Sequence, residues 1–138
     1  MSHVLTADGG TESLRVRIYD REGRCVASHA EPYETKFMAG ARAEQNAEDW
    51  WSSLVTATQI CLKEANISGD AIDAMAYATT CCTVVALDKN GAPLRPALMW
   101  MDVRADKEAE AVLETGDQRL ILNGNGQGPV SAEWMIPK

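Results

Sequence analysis

Histidine and cysteine are sparse in this chain, and positive charge is in deficit. The two histidines, His3 and His29, and the four cysteines, Cys25, Cys61, Cys81 and Cys82, show no CxxC spacing and no zinc-like grouping. That sets aside a zinc module and a disulfide framework. Adjacent Cys81 and Cys82 do not readily pair with each other, so the expectation is four reduced thiols acting as small apolar side chains. Thirteen basic residues against twenty acidic ones give a net charge of −7, which argues against nucleic acid or an anionic membrane as the main partner. Nowhere does an apolar run approach the roughly eighteen residues of a membrane span. The first residues carry neither a basic flank nor a long apolar core, so the expected address is cytoplasmic.

What is present is enough for one domain: 138 residues, 46% of them hydrophobic. The stretch that organises the chain is V-L-T-A-D-G-G-T-E-S-L-R-V-R-I-Y-D, residues 4–20. Residues 4–7 form a short apolar run, and residues 15–19 alternate polar with apolar, so two strands flank a glycine turn. Gly9 and Gly10 let the backbone turn and approach a ligand, while successive N–H groups and the Thr11 and Ser13 hydroxyls can surround an anion. Asp8 would hold a divalent cation, directly or through water, because such ions take oxygen ligands and bridge to phosphate. The same D-G-G is also a good hairpin turn with no ligand at all.

Residues 24–30 follow a turn and add a third antiparallel strand, making a meander. Residues 31–45, with Pro32 and Gly40, read as a crossing loop holding one extended piece. Asn46 caps a helix predicted over 47–66, with Glu48 and Asp49 in its first turn. Its apolar face comprises Trp51, Leu54, Val55, Cys61, Leu62 and Ala65, and Trp50 and Trp51 are read as packing residues rather than a sugar platform. Residues 83–87 read as a buried strand, 88–91 as a hairpin turn and 96–101 as a further strand. Asp102 is expected to cap a second helix over 103–114, ended by Thr115-Gly116. The glycine-rich run 123–129 lacks the strand-to-helix setting of a nucleotide loop. Strands alternating with helices make an α/β sheet.

Three motifs, in this order and spacing, resemble the N-terminal part of the FGGY carbohydrate kinases, the group of xylulokinase, ribulokinase and glycerol kinase. Asp8-Gly9-Gly10-Thr11-Glu12-Ser13-Leu14-Arg15 is similar to the family's phosphate motif D-x-G-T-x-S-x-R, with Glu12 where a hydroxyl residue is usual. Glu44, Gln45, Trp50 and Trp51 resemble its E-Q-x-x-x-x-W-W, and Trp100-Met101-Asp102-Val103-Arg104-Ala105 its W-x-D-x-R-A. The segment from Ser131 to Lys138 resembles the stretch before the family's next helix.

The resemblance implies a ribonuclease-H-like (actin-like ATPase) α/β fold, incomplete here, with residues 1–138 forming part of an N-terminal kinase domain. It implies ATP and Mg²⁺ as cofactors and a sugar or polyol as partner. Asp8 would organise the metal, Thr11, Glu12, Ser13 and Arg15 would face the phosphates, and Thr80, Cys81, Cys82, Trp100, Asp102 and Arg104 would meet the sugar. From the residues alone, Asp102 can equally be a helix cap and Arg104 an exposed helix residue. Relatives carry other residues where this chain has Thr80, Cys81 and Cys82, which points away from glycerol kinase and toward pentulose kinases of the ribulose type. The family's catalytic aspartate is expected downstream: after Asp102 only Asp106 and Asp117 occur, and neither matches its motif. The chain is therefore expected to be a fragment inactive on its own. Two other readings stand beside it: a non-catalytic binding or assembly module that forms a homodimer through exposed edges, and a ribonuclease-H-like two-metal nuclease built around Asp8.

Overall fold

The computed structural model describes residues 2–122 and 130–138; the glycine-rich run at 123–129 lies outside the described residues. It divides into two compact units, one made of the residues up to Thr35 with Asn46–Thr80, the other of Lys36–Gln45 with Cys81–Lys138.

The first unit is a four-stranded mixed sheet carrying one long helix. Strands β1 (His3–Gly9), β2 (Ser13–Tyr19) and β3 (Cys25–Pro32) form the expected antiparallel meander, and β6 (Ile72–Thr79) adds in parallel to β1, giving the order β3-β2-β1-β6. β2 is central and alternates strictly: Leu14, Val16 and Ile18 are wholly buried while the residues between them are half-exposed. Across the ladder Leu5 sits opposite Ile18, Ala7 opposite Val16 and Gly9 opposite Leu14, so one face of the meander is apolar. Each large side chain so buried contributes about 1.5–3 kcal/mol.

Helix α1 (Ala47–Glu64) covers that face. Asn46 caps it as expected, its side-chain oxygen accepting from the Glu48 N–H at 3.3 Å. At the other end Asn66 adopts φ 53°, the Asn66 N–H donates to Lys63 O and the Ile67 N–H to Leu62 O, a Schellman closure that stops the helix two residues before the sequence reading did. The inward stripe also differs from the expected one. Ser53, Ala57 and Cys61, spaced by four, are the buried residues, with Leu54, Leu62 and Ala65 beside them; Trp51 is 66% exposed and Val55 37%. Small residues let the helix lie close to the sheet, and Trp51 and Val55 are left outside.

The second unit replaces several expected elements. The stretch read as a crossing loop holds two strands, β4 (Lys36–Met38) and β5 (Arg42–Gln45), paired antiparallel, and β7 (Ala97–Leu98) pairs with β5. Residues 83–87 are no strand: single bridges join Val84 to Leu98 and Leu87 to Pro93, and Leu87 is half-exposed. The expected turn at 88–91 is present, with Gly91 at φ 86° and the Asp88 carboxylate accepting from the Asn90 and Ala92 N–H groups, both at 2.8 Å. The strand predicted over 96–101 is reduced to the two residues of β7. Helix α2 (Asp106–Glu114) begins later than predicted, and Ala105, which makes no side-chain cap, occupies its N-cap. Asp102 is not the cap, because its carboxylate is drawn inward by another partner. Met135 and Ile136 near the end of the chain are exposed.

Candidate functional site

In the first unit the β1–β2 loop is held from one side by the segment that follows β3. The Tyr33 hydroxyl donates to Gly10 O, the Tyr33 N–H donates to Glu12 O at 3.1 Å, and the Thr35 hydroxyl donates to Thr11 O at 3.4 Å. Three successive carbonyls are thus turned toward 33–35. Because the C=O and N–H of one peptide point in opposite directions, the N–H groups of Thr11, Glu12 and Ser13 are turned the other way, the arrangement of an anion-binding concavity. Gly10 N–H closes the loop onto Ser13 O at 3.0 Å.

Besides the turn at Gly9 and Gly10, the structure gives Gly9 a packing job. Neither has a positive φ; Gly9 is part of β1. A Cβ on Gly9 would stand 2.7 Å from the Tyr77 hydroxyl and 3.2 Å from the Thr79 hydroxyl. Gly9 is there for closeness, its carbonyl accepting the Thr79 hydroxyl at 3.1 Å and the Thr80 N–H at 3.4 Å. Asp8 is exposed, one residue earlier, opposite Arg15 on β2 and Ala78 on β6. Burial pushes the Tyr33 phenol up to about 12, and the nearby Tyr77 and Asp8 charges add to the effect. The structure therefore brings Asp8, Gly9, Gly10, Tyr33, Tyr77 and Thr79 around one hairpin end; of these, the two tyrosines carried no sequence signal.

Asp8 offers one hard oxygen ligand beside a loop shaped for an anion. That donor set fits Mg²⁺ carried largely by phosphate and water rather than by a protein cage. Among the described residues, no group of three or more His, Cys, Asp or Glu side chains is placed to hold a metal ion by itself, whereas the two-metal nuclease reading asks for such a group.

In the second unit Trp100, Asp102 and Arg104 share one turn. Asp102 is wholly buried. Its Oδ2 accepts from the Ala43 N–H at 2.8 Å and from Arg104 Nη2 at 2.7 Å, and its Oδ1 from the Arg104 N–H at 3.0 Å and Nε at 2.9 Å. Burial works to raise this carboxyl, but the hydrogen bonds of Arg104 and Ala43 prevail and hold it down at about 2. Four bonds use the roughly four lone-pair sites a carboxylate has. Arg104 also reaches Glu44 Oε1 at 2.8 Å and keeps about a quarter of its side chain exposed. Trp100 is 38% exposed, and its backbone N–H donates to the Thr83 hydroxyl at 3.1 Å.

Lys138 gathers the same turn from behind: its ammonium donates to Cys82 O at 3.2 Å, Met99 O at 2.7 Å and Trp100 O at 2.9 Å. Burial lowers its pKa against the raising effect of Asp102. A lysine after a proline in an irregular stretch has no periodicity, so nothing in the sequence marked its contacts. Arg42, Arg95, Arg104 and Lys138, with Glu108, line a cavity of about 480 Å³ in this unit. Cys81 is exposed, and Cys82 is half-buried with φ 61°. Thr80 belongs to the first unit, at the end of β6.

Residues 3–132 match the model of the FGGY family of carbohydrate kinases, N-terminal domain. The chain belongs to that family. It is 33% identical over 117 residues to a glycerol kinase of Acinetobacter baylyi, an alignment covering 84% of this chain and 24% of that one. To a xylulose kinase of Lactococcus lactis it is 27% identical over 121 residues, 88% of this chain and 24% of the relative. The chain thus spans about a quarter of the length of these relatives. Among solved structures, a xyloylose kinase from Brucella ovis superposes with a TM-score of 0.84 at 21% identity over 98% of this chain and 28% of its own. A glycerol kinase from Plasmodium falciparum, solved with ADP, superposes with a TM-score of 0.79 at 21% identity over 97% of this chain and 27% of its own. The mixed α/β fold of this FGGY chain agrees with both.

Proposed function

We propose that this chain is part of the N-terminal domain of an ATP-dependent kinase that phosphorylates a hydroxyl of a sugar or polyol, with a ribonuclease-H-like core. The carrying observation is the β1–β2 hairpin end, where carbonyls 10–12 are bound on one side and the exposed Asp8 stands beside the loop. Thr11, Glu12, Ser13 and Arg15 then face the nucleotide phosphates and Asp8 the Mg²⁺; that one structural relative was solved with ADP supports a nucleotide as the ligand. A bound Mg²⁺ would neutralise charge building on the transferred phosphoryl group.

On the acceptor side Trp100 presents an apolar ring face for the C–H surface of a sugar, and Arg104, Thr80, Cys81 and Cys82 supply polar contacts. Asp102 enters as the residue that orients Arg104, since its own oxygens are taken. The Thr80-Cys81-Cys82 series favours a pentulose of ribulose type. Transfer also needs an acid to orient the attacking hydroxyl. Asp117 is bound up with Arg119, and Asp106 sits in the first turn of α2, so neither is suited to that task. The chain on its own is expected to bind without turnover, the catalytic aspartate and the adenine-binding part belonging to further polypeptide. A cytoplasmic address and a homodimer remain part of this reading.

Titration calorimetry with Mg·ATP, followed by a panel of ketoses and polyols, tests this. Wild type should bind Mg·ATP and Asp8→Asn about tenfold more weakly, as expected for a lost charge-assisted contact. Equal binding by both would remove Asp8 from the nucleotide site, and phosphorylation by the isolated chain would overturn the division of labour.

A further inference from the structure

Three backbone carbonyls of the second unit surround one nitrogen. Lys138 Nζ donates to Cys82 O at 3.2 Å, to Met99 O at 2.7 Å and to Trp100 O at 2.9 Å. A lysine ammonium has three donors and no acceptor, so every donor has its oxygen. A water molecule in the same place has only two protons to give, and one carbonyl would be left facing it unbonded. The oxygens come from two stretches far apart in sequence: Cys82 lies in the segment after β6, Met99 and Trp100 directly after β7. Both stretches are fixed for the task. Cys82 sits at φ 61°, a conformation that residues other than glycine keep only where their surroundings dictate it. Met99 is buried, and its N–H donates to Ala43 O at 3.0 Å. Pro137 is buried beside the lysine, while Met135 and Ile136 before it are exposed. The carboxylate whose charge acts on Lys138, Asp102, gives its own oxygens to Ala43 and Arg104, so the ammonium is held by backbone.

We propose that the carbonyls of Cys82, Met99 and Trp100 form a site for a primary ammonium ion, filled by Lys138, and that Lys138 is thereby a positioning residue of the acceptor pocket. The second half rests on the proposed function; the first does not. Trp100 and the Cys81-Cys82 segment are assigned to the same sugar, and the ammonium is bonded to the main chain of both. It acts on the sugar only through the residues it holds. With the ion gone, three partial negative charges face one another with too few donors between them, and the two stretches lose their mutual register. Methylammonium carries the same charge and the same three N–H donors as the lysine head. Tetramethylammonium carries the charge and no donor.

The test compares the full wild-type chain with Lys138→Ala. Amide exchange at Trp100, whose N–H reports the bond to Thr83, should quicken about tenfold in the variant. Methylammonium chloride should restore it, tetramethylammonium chloride at the same ionic strength should not, and wild type should respond to neither. In calorimetry the variant should bind D-ribulose about tenfold more weakly and Mg·ATP as wild type does, with methylammonium returning the D-ribulose affinity. Unchanged exchange in Lys138→Ala, or recovery by both salts alike, would overturn the ammonium site. Equal D-ribulose affinities in the two chains would overturn the positioning role. A wild type that binds no ketose or polyol would sink the sugar-kinase reading and the positioning role with it, while recovery by methylammonium alone would still uphold the site. In wild type itself, limited acetylation and peptide mapping should find Lys138 protected several-fold relative to the exposed Lys36 and Lys89. Equal labelling of the three would overturn the site even if the variant fails to fold.

Discussion

Replacing Asp102 by asparagine tests how the Trp100–Arg104 turn is held. Asparagine keeps the shape but puts an N–H₂ where the Ala43 N–H and the Arg104 fork both need an acceptor. Two contributions set the size of the loss. The carboxyl is held at about 2 against an ordinary 3.8, worth about 2 kcal/mol at neutral pH. Breaking a buried pair costs about 3–5 kcal/mol when the remaining charge is stranded, but Arg104 retains Glu44 at 2.8 Å and some exposure, which places the loss at the lower end. The expected destabilisation is about 3 kcal/mol at pH 7. Since the folded carboxyl is depressed, its contribution is present above about pH 4 and lost as the pH falls toward 2, so the gap between wild type and Asp102→Asn should narrow by about 1 kcal/mol at pH 3. Urea unfolding followed by circular dichroism at both pH values measures this, and amide exchange at Ala43 localises it. A loss under about 0.5 kcal/mol, or a gap independent of pH, would refute the assignment of Asp102 as a buried, ionised acceptor.

Tyr33→Phe removes the donor to Gly10 O and should cost about 1 kcal/mol; in wild type, ultraviolet titration should show one tyrosine ionising near 12, absent from the variant. Because that phenol is raised, its contribution is complete below about pH 10 and fades as the pH climbs through 12. Gly9→Ala should destabilise by about 1–3 kcal/mol, and the penalty should shrink in a Tyr77→Phe background, which deletes the hydroxyl 2.7 Å from the new carbon; equal penalties in both backgrounds would exclude that contact as the cause. Lys138→Met removes the ammonium donor from the Cys82 and Trp100 carbonyls and leaves Met99 O to the Asp102 N–H, and should lower the stability by about 2 kcal/mol, with faster exchange of the Trp100 amide as the local readout.

How far the chain could be read in advance varied with how local the cause was. The meander and the Asn46 cap were legible, because strand alternation in 13–19 and an Asn followed by Glu48 and Asp49 act within a few residues. The inward face of α1 was read correctly at Leu54, Cys61, Leu62 and Ala65 but wrongly at Trp51 and Val55, where size was taken for burial; what admits Ser53 and Ala57 is the closeness of the sheet, which no single helix discloses. The strand expected over 83–87 failed for a similar reason: apolar content is there, but its strand partners among the described residues are isolated bridges. At the candidate site the motif residues Asp8, Trp100, Asp102 and Arg104 were visible, yet Asp102 looked like a cap because its real donor, Ala43, is 59 positions away. Tyr33, Tyr77 and Lys138 act through hydroxyl, ring or ammonium contacts across 23 to 68 positions and leave no local pattern.

The strict alternation of β2 has a consequence for how this chain can change. Arg15 and Arg17 occupy the slots between Leu14, Val16 and Ile18. Adding or deleting a single residue inside Ser13–Tyr19 would turn guanidinium groups into the apolar layer and leucine and isoleucine out to water. Variation in length is therefore confined to the turns at either end of that ribbon, and whatever the hairpin tip grips, it grips from a ruler whose graduations cannot slide.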